Sequence, residues 1–312
     1  MNAPTPLPSD PVGTAAGLPE TPEAPEAPEA PEAPEAPEAP EAPEAPEAPE
    51  SAAGAAAPVV VVGGCKGGAG KSLTTLAVVD FLRQRGVPLL LVETDTSNPD
   101  VWRMHRGEDG LLAAALDLDE AEGWIDLINL CDEYPERVAV INTAARNNKG
   151  VTAHGPKLNR ARPELGRRLV TLWVINNQRD SVELLADYLS DLPGEVTHVV
   201  RNTFFGPPET FRAYAELPAA AEVARRGGQV LTLPRLATRA ADDLYSRRLS
   251  VRRAVARGSP DALPLGNRAE LECWREQVAR MFEAVLPSEV DRWRDRAREH
   301  RAPPAGARRG RR

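Results

Sequence analysis

The chain has 312 residues and a formal charge of −8, but the first 58 residues carry 12 acids with no Lys or Arg, which leaves +4 for the rest. The cysteines at 65, 131 and 273 have no CxxC spacing, and the four histidines are scattered. A disulfide framework, a zinc site and histidine catalysis are therefore not supported. No basic-plus-apolar leader opens the chain and no apolar run approaches membrane-spanning length, so a cytoplasmic protein with no membrane contact is expected.

Residues 21–51 repeat Pro-Glu-Ala with proline at every third position. Proline excludes helix and the glutamates repel one another, which predicts a disordered, extended acidic arm over residues 1–57. It can serve as a spacer or as bait for a basic partner. From residue 58 the pattern changes. Short β-branched runs at 59–62, 88–92, 137–142, 169–175, 197–201 and 229–233 read as buried strands. Between them lie amphipathic stretches at 72–85, 119–133, 181–192, 208–217 and 238–247. Such alternation predicts an α/β domain over 58–288: a doubly wound, mainly parallel sheet with helices on both faces. A last helix, 268–285, places Leu271, Trp274, Val278, Met281, Phe282 and Val285 on one stripe that suits core packing. The tail, 289–312, holds nine Arg against three acids from position 291 onward. It cannot build a core but can neutralise phosphates, so DNA is its expected ligand, with the acidic arm competing. The alternative is a merely solubilising tail.

The strongest chemical signal is VVVVGGCKGGAGKSLTTLAVVDFL, an apolar strand running through a glycine-rich turn into a helix. Gly67, Gly68 and Gly70 let backbone N–H groups close around phosphate oxygens without Cβ obstruction. Lys71 supplies charge toward the β- and γ-phosphates, Ser72 offers a hydroxyl to Mg²⁺, and the helix N-terminus adds to both. Only four lysines occur against 34 arginines, and two of the four fall in this loop.

The strict GxxxxGK[ST] pattern fails because Cys65 occupies its first position; what matches is KGGxGKS. In that form, and across residues 59–255, the chain resembles the ParA/MinD family of deviant P-loop ATPases. The resemblance implies ATP and Mg²⁺ as cofactors and an ATP-dependent homodimer in which Lys66 reaches the partner's nucleotide. It assigns Asp95, in LLLVETDTSNPD, to orienting the attacking water, and Glu93 to the magnesium shell. Asn142, in RVAVINTAA, stands where the family has an aspartate, and Asn202 and Pro234 stand where the adenine is read and covered. Each also has a plainer reading: Lys66 on the loop surface, and Asp95, Asn142 and Asn202 in ordinary turns after strands. An amide at 142 accepts through its oxygen but brings no charge to a metal-bound water, which implies weak ATPase activity and faster turnover for Asn142→Asp.

The leading expectation is an ATP-binding switch that positions cargo in plasmid partition, conjugative mobilisation or cell division, acting on DNA or on a DNA-bound partner protein. An assembly factor with little or no hydrolysis is the alternative. A ligase of the cobyrinate or dethiobiotin type lacks any marked organic pocket. A nitrogenase-iron-like reductase would need two bridging cysteines, for which Cys131 and Cys273, both on expected helices, are poor candidates. The C-terminal sequence has almost no apolar face, which disfavours a membrane-targeting helix.

Overall fold

The structure is a computed structural model that describes residues 56–64, 67–144, 148–191 and 196–286, with 293 and 295. The acidic arm up to residue 55, Cys65 and Lys66, and the Arg-rich tail apart from 293 and 295 lie outside the described residues.

Seven strands form one parallel sheet. They are β1 (Val59–Gly63), β2 (Leu89–Glu93), β3 (Leu111–Ala115), β4 (Val138–Asn142), β5 (Leu169–Ile175), β6 (Val196–Asn202) and β7 (Val230–Leu233), in the order β3-β2-β4-β1-β5-β6-β7. Because β1 is flanked by parallel neighbours and covered on both faces, its side chains are apolar at every step rather than at alternate ones. Val60 and Val62 join one core cluster, and Val59 and Val61 the other.

Helices cover both faces, as the alternation of runs implies. On the Val60/Val62 face pack α1 (Lys71–Gln84), α2 (Asp100–His105), α8 (Thr238–Ser246), α9 (Val251–Val255) and α10 (Leu265–Glu283). On the other face pack α3 (Ala121–Glu133), α4 (Asn148–Leu165), α5 (Leu185–Asp191), α6 (Arg212–Ala215) and α7 (Pro218–Arg225). Helix α1 stops in a Schellman turn: Gly86, at φ +72°, donates to the Arg83 carbonyl, and Val87 donates to Leu82. Helix α10 is fastened to α1 by Arg275, whose Nε and Nη2 donate to Asp80 at 2.7 and 3.0 Å. Its stripe is buried at Leu271, Trp274, Val278 and Phe282.

Two differences from the sequence expectation have local causes. The 181–192 segment is a 3-10 turn followed by the shorter α5, and 208–217 is a 3-10 turn followed by the one-turn α6. In the first, Ser181 Oγ donates to the Gln178 carbonyl and competes with regular helix.

At the amino ends of the strands Arg167 is buried without a carboxylate beside it in its hydrogen-bond set. Its Nε donates to the Ala57 carbonyl (2.6 Å). Nη1 donates to Cys131 (2.8 Å) and Tyr134 (3.4 Å), and Nη2 to Pro58 (3.2 Å) and Arg137. Those five bonds match the five N–H groups of a guanidinium. They join the start of β1, the end of α3 and the start of β4.

Candidate functional site

The carboxyl ends of β1, β2, β4, β6 and β7 all lie on one edge of the sheet, and the glycine-rich loop leaves β1 there to enter α1. Gly68 and Gly70 have φ of +77° and +107°, a region L side chains rarely occupy, and a Cβ on Gly68 would meet nothing within 4 Å. The first helical bond runs from the Thr74 N–H to the Gly70 carbonyl (2.9 Å), so the N–H groups of residues 71–73 have no intrahelical acceptor. Lys71 opens the helix with only 7% of its surface exposed, and Ser72 follows half-buried. A glycine-rich turn, a helix N-terminus and a buried lysine thus follow one another directly.

Asn202, at the end of β6, holds this loop from behind. Its Nδ2 donates to the Ala69 carbonyl at 2.9 Å, and its Oδ1 accepts from the Phe204 N–H at 3.1 Å. A Cβ on Gly70 would lie 2.3 Å from that Nδ2, so glycine is required there by backbone angle and by space.

Parallel register brings the last residues of β2 and β4 side by side, Glu93 opposite Asn142, and sets Val62 of β1 on the other flank of Asn142. The shared register turns both polar side chains toward α1. There the Thr75 hydroxyl is 2.9 Å from Asn142 Oδ1 and 3.0 Å from the Lys71 carbonyl. Asn142 Nδ2 donates to Glu93 Oε1 (2.9 Å) and Oε2 (3.0 Å), and the Asp95 N–H also donates to Oε1 (3.0 Å). Burial pushes the Glu93 carboxyl up to about 7, against the opposing pull of the Asp95 N–H and the Asn142 amide. Thr94 and Asn142 bind the two strand ends further: the Thr94 N–H donates to the Asn142 carbonyl, and Thr94 Oγ1 accepts from the Ala144 N–H. Asp95 is half-buried, and its Oδ1 accepts from the Asn98 N–H at 3.2 Å.

The third flank is aromatic. Phe204, 51% exposed, carries the Arg235 guanidinium 5.6 Å from its ring centroid and meets Phe205 edge-on at 5.2 Å. The adjoining Pro234 carbonyl accepts from Trp274 Nε1 of α10 at 2.8 Å. Thr75, Thr94, Phe204 and Arg235 escape the sequence reading. The Phe204-Phe205 pair straight after an apolar strand is the one local signal that points to any of them.

Gly67, Gly68 and Gly70 thus lie in the turn that leads into Lys71 and Ser72, and one turn further along that helix Thr75 meets the buried Glu93–Asn142 pair; Asn202 is bonded to the turn at Ala69, and Pro234 follows β7. Asp95 is held in the turn after β2, and Lys66 lies outside the described residues. A small enclosed apolar cavity, about 30 Å³, lies on the other face of β1 against Trp173 and Trp124. It has room for a water or so and not for a nucleotide.

Protein MobD of Acidithiobacillus ferrooxidans is 50% identical over 228 residues, which is 73% of this chain and 97% of that protein. The chain belongs to the MobD family. No protein-family model matches this MobD-family chain. Among solved structures, the MinD cell division protein of Aquifex aeolicus overlays at a TM-score of 0.42 and 16% identity, covering 71% of this chain and 97% of that one. The cell division ATPase MinD of Pyrococcus furiosus overlays at 0.39 and 14%, covering 71% and 99%. Among the described residues no helix is long and apolar enough to cross a membrane.

Proposed function

We propose that the chain is an ATP-dependent switch of the ParA/MinD kind, which binds Mg-ATP at the carboxyl ends of β1, β2 and β4 and serves DNA mobilisation or partition. The observation that carries this reading is the run of two left-handed glycines into the buried Lys71, on a helix whose next turn is bonded through Thr75 to the Asn142–Glu93 pair. Anion donors and a cation-facing acid side by side suit a polyphosphate with its divalent metal. Membership in the MobD family favours the mobilisation role over a division role.

The residues fit that ligand. Gly68 leaves room for close backbone approach, Lys71 is held where its charge is least screened by water, and Ser72 and Glu93 offer oxygens of the hard kind magnesium takes. When bound, Mg-ATP supplies a transferable γ-phosphoryl group whose hydrolysis ends the bound state. Asp95 orients water and Glu93 keeps negative charge in the metal's surroundings. Asn202 secures the loop, and Phe204 with Arg235 offers a face for the base. The nucleotide-bound form is a homodimer with Lys66 acting across it. Turnover is slow, as the family resemblance implies for a neutral residue at position 142, and the Arg-rich tail contacts DNA or a DNA-bound partner. An assembly factor with little or no hydrolysis is favoured over the switch only by that neutral residue.

Calorimetry with Mg-ATP tests the site. Lys71→Ala should bind about 10–100-fold more weakly, the span expected for one lost charge-assisted contact. Equal affinity would overturn the assignment. Sedimentation with a slowly hydrolysed ATP analogue tests the dimer, which should form in wild type and not in Lys66→Ala.

A further inference from the structure

We infer that Asn142 is a positioning residue for the Glu93 carboxylate, so that the acidic group at the paired ends of β2 and β4 belongs at position 93 and a carboxylate at 142 would be harmful there. This rests on the proposed magnesium nucleotide site and refines it. The family resemblance alone leads to the opposite expectation, in which an aspartate at 142 restores a lost metal contact.

Hydrogen-bond polarity decides between the two. Both Glu93 oxygens accept from Asn142 Nδ2, and Oε1 also accepts from the Asp95 N–H. Asn142 Oδ1 in turn faces the Thr75 hydroxyl, one helical turn beyond Ser72. An ionised Glu93 offers only acceptors, which sets the amide nitrogen toward position 93, while the Thr75 hydroxyl, with the Lys71 carbonyl as its other acceptor, suits the amide oxygen. The line exists because β2 and β4 are in register at their last residues and because α1 crosses above them. A carboxylate at position 142 would replace the donor facing the Glu93 oxygens by a further acceptor, which could join them only through a proton shared between the two acids. It would separate the strand ends or pull Glu93 out of place, and the second partner of a metal-facing group is commonly worth 10–100-fold in metal affinity.

Polarity can also be reversed as a whole. In the double variant Glu93→Gln with Asn142→Asp, the amide introduced at position 93 would donate to the carboxylate introduced at position 142. The amide oxygen at 93 would still accept from the Asp95 N–H, and the Thr75 hydroxyl would still donate to position 142. The carboxylate would have moved by one strand with the Asp95 and Thr75 contacts kept and one of the two bonds between positions 93 and 142 retained.

Wild type, Asn142→Asp, Glu93→Gln and the double variant, all in the full chain, would be titrated with a fluorescent ATP analogue with magnesium and with EDTA. Nucleotide-free melting would be measured in parallel. Both single variants should lose about 10–100-fold in affinity with magnesium and little in EDTA, and the double variant should recover most of that loss. A purely structural pair would shift melting without the magnesium dependence. Asn142→Asp that binds as well as wild type, or a double variant no better than the weaker single one, would overturn the inference. If Asn142→Asp fails to fold, recovery of folding and binding by the double variant supports the pairing, and its failure to recover ends it. A wild type that binds no Mg-ATP would sink the proposed function, while non-additive melting across the four proteins would still establish the pair.

Discussion

At the amino end of the sheet Arg167 directs all five of its N–H groups at carbonyls, whereas at the carboxyl end the loop after β1 presents N–H groups with no helical acceptor and a lysine already in place. The first arrangement is saturated by the protein itself and fixes strand starts. The second holds its loop through Asn202 and its strand ends through the Glu93–Asn142 pair, and it leaves the first turn of α1 without acceptors from within the helix. With the proposed nucleotide site, the same parallel sheet separates stability from binding by placing them at opposite ends of its strands.

Arg167→Met breaks the saturated end and should have the largest effect. Five carbonyls lose a charged donor, and urea unfolding should show a loss of about 4 kcal/mol. Arg167→Lys should recover only part of it, since an ammonium has three donors in place of a five-pronged fork. The affinity of the folded fraction for Mg-ATP should not change.

His198 sharpens the contrast through pH. It is buried near the start of β6, its Nδ1 accepts from the Gln229 N–H, and burial, with Arg168 adding to it, lowers it to about 4. The unfolded chain takes up this proton near 6.5 and the folded one does not, so stability should fall as pH drops from about 6.5 toward 4 and level off below. About 3 kcal/mol is at stake over that window. His198→Gln should flatten that part of a denaturation series run from pH 7.5 to 4.5. The buried His105, also lowered by burial, contributes slope in the same direction.

The ligand end can be broken at Gly70. Alanine there must adopt a φ of +107° and push Asn202 away, which should destabilise the chain by about 1–3 kcal/mol. The rise in melting temperature that Mg-ATP gives the wild type should also vanish. Phe204→Ala should be the mildest change: melting unaltered, and ATP affinity lowered by about 1 kcal/mol, read as a roughly fivefold weaker dissociation constant.

What the sequence discloses follows how local each feature is. The strands flanking the crevice are visible as β-branched runs, and the glycine loop is visible because its geometry is written in consecutive residues. Strand β3 is not, since Leu111–Ala115 is an edge run without β-branching whose residues are mostly half-exposed. Helix α4 hides behind Pro156 and Pro163 and a polar composition, yet one side of it packs Leu158 and Leu165 into the core. Glu93 and Asn142 can each be picked out, but their pairing depends on the register of two strands 49 positions apart, and a single-sequence pattern contains no such register. Phe204 and Arg235 are brought together by the neighbouring ends of β6 and β7, which is likewise a tertiary fact.

The position of β1 in the middle of the sheet also sets a timetable. Its two partners begin at residues 138 and 169, and the arginine that ties down its start is 110 positions beyond Ala57. On a ribosome adding about 5–20 residues each second, that interval lasts roughly 5–20 s. Until β4 emerges within it, β1 has neither of its sheet neighbours, and for the remainder it has only β4. The strand that launches the glycine-rich loop is the earliest of the sheet to be synthesised and among the last to be enclosed, so the proposed nucleotide site forms only after more than half of the chain has emerged.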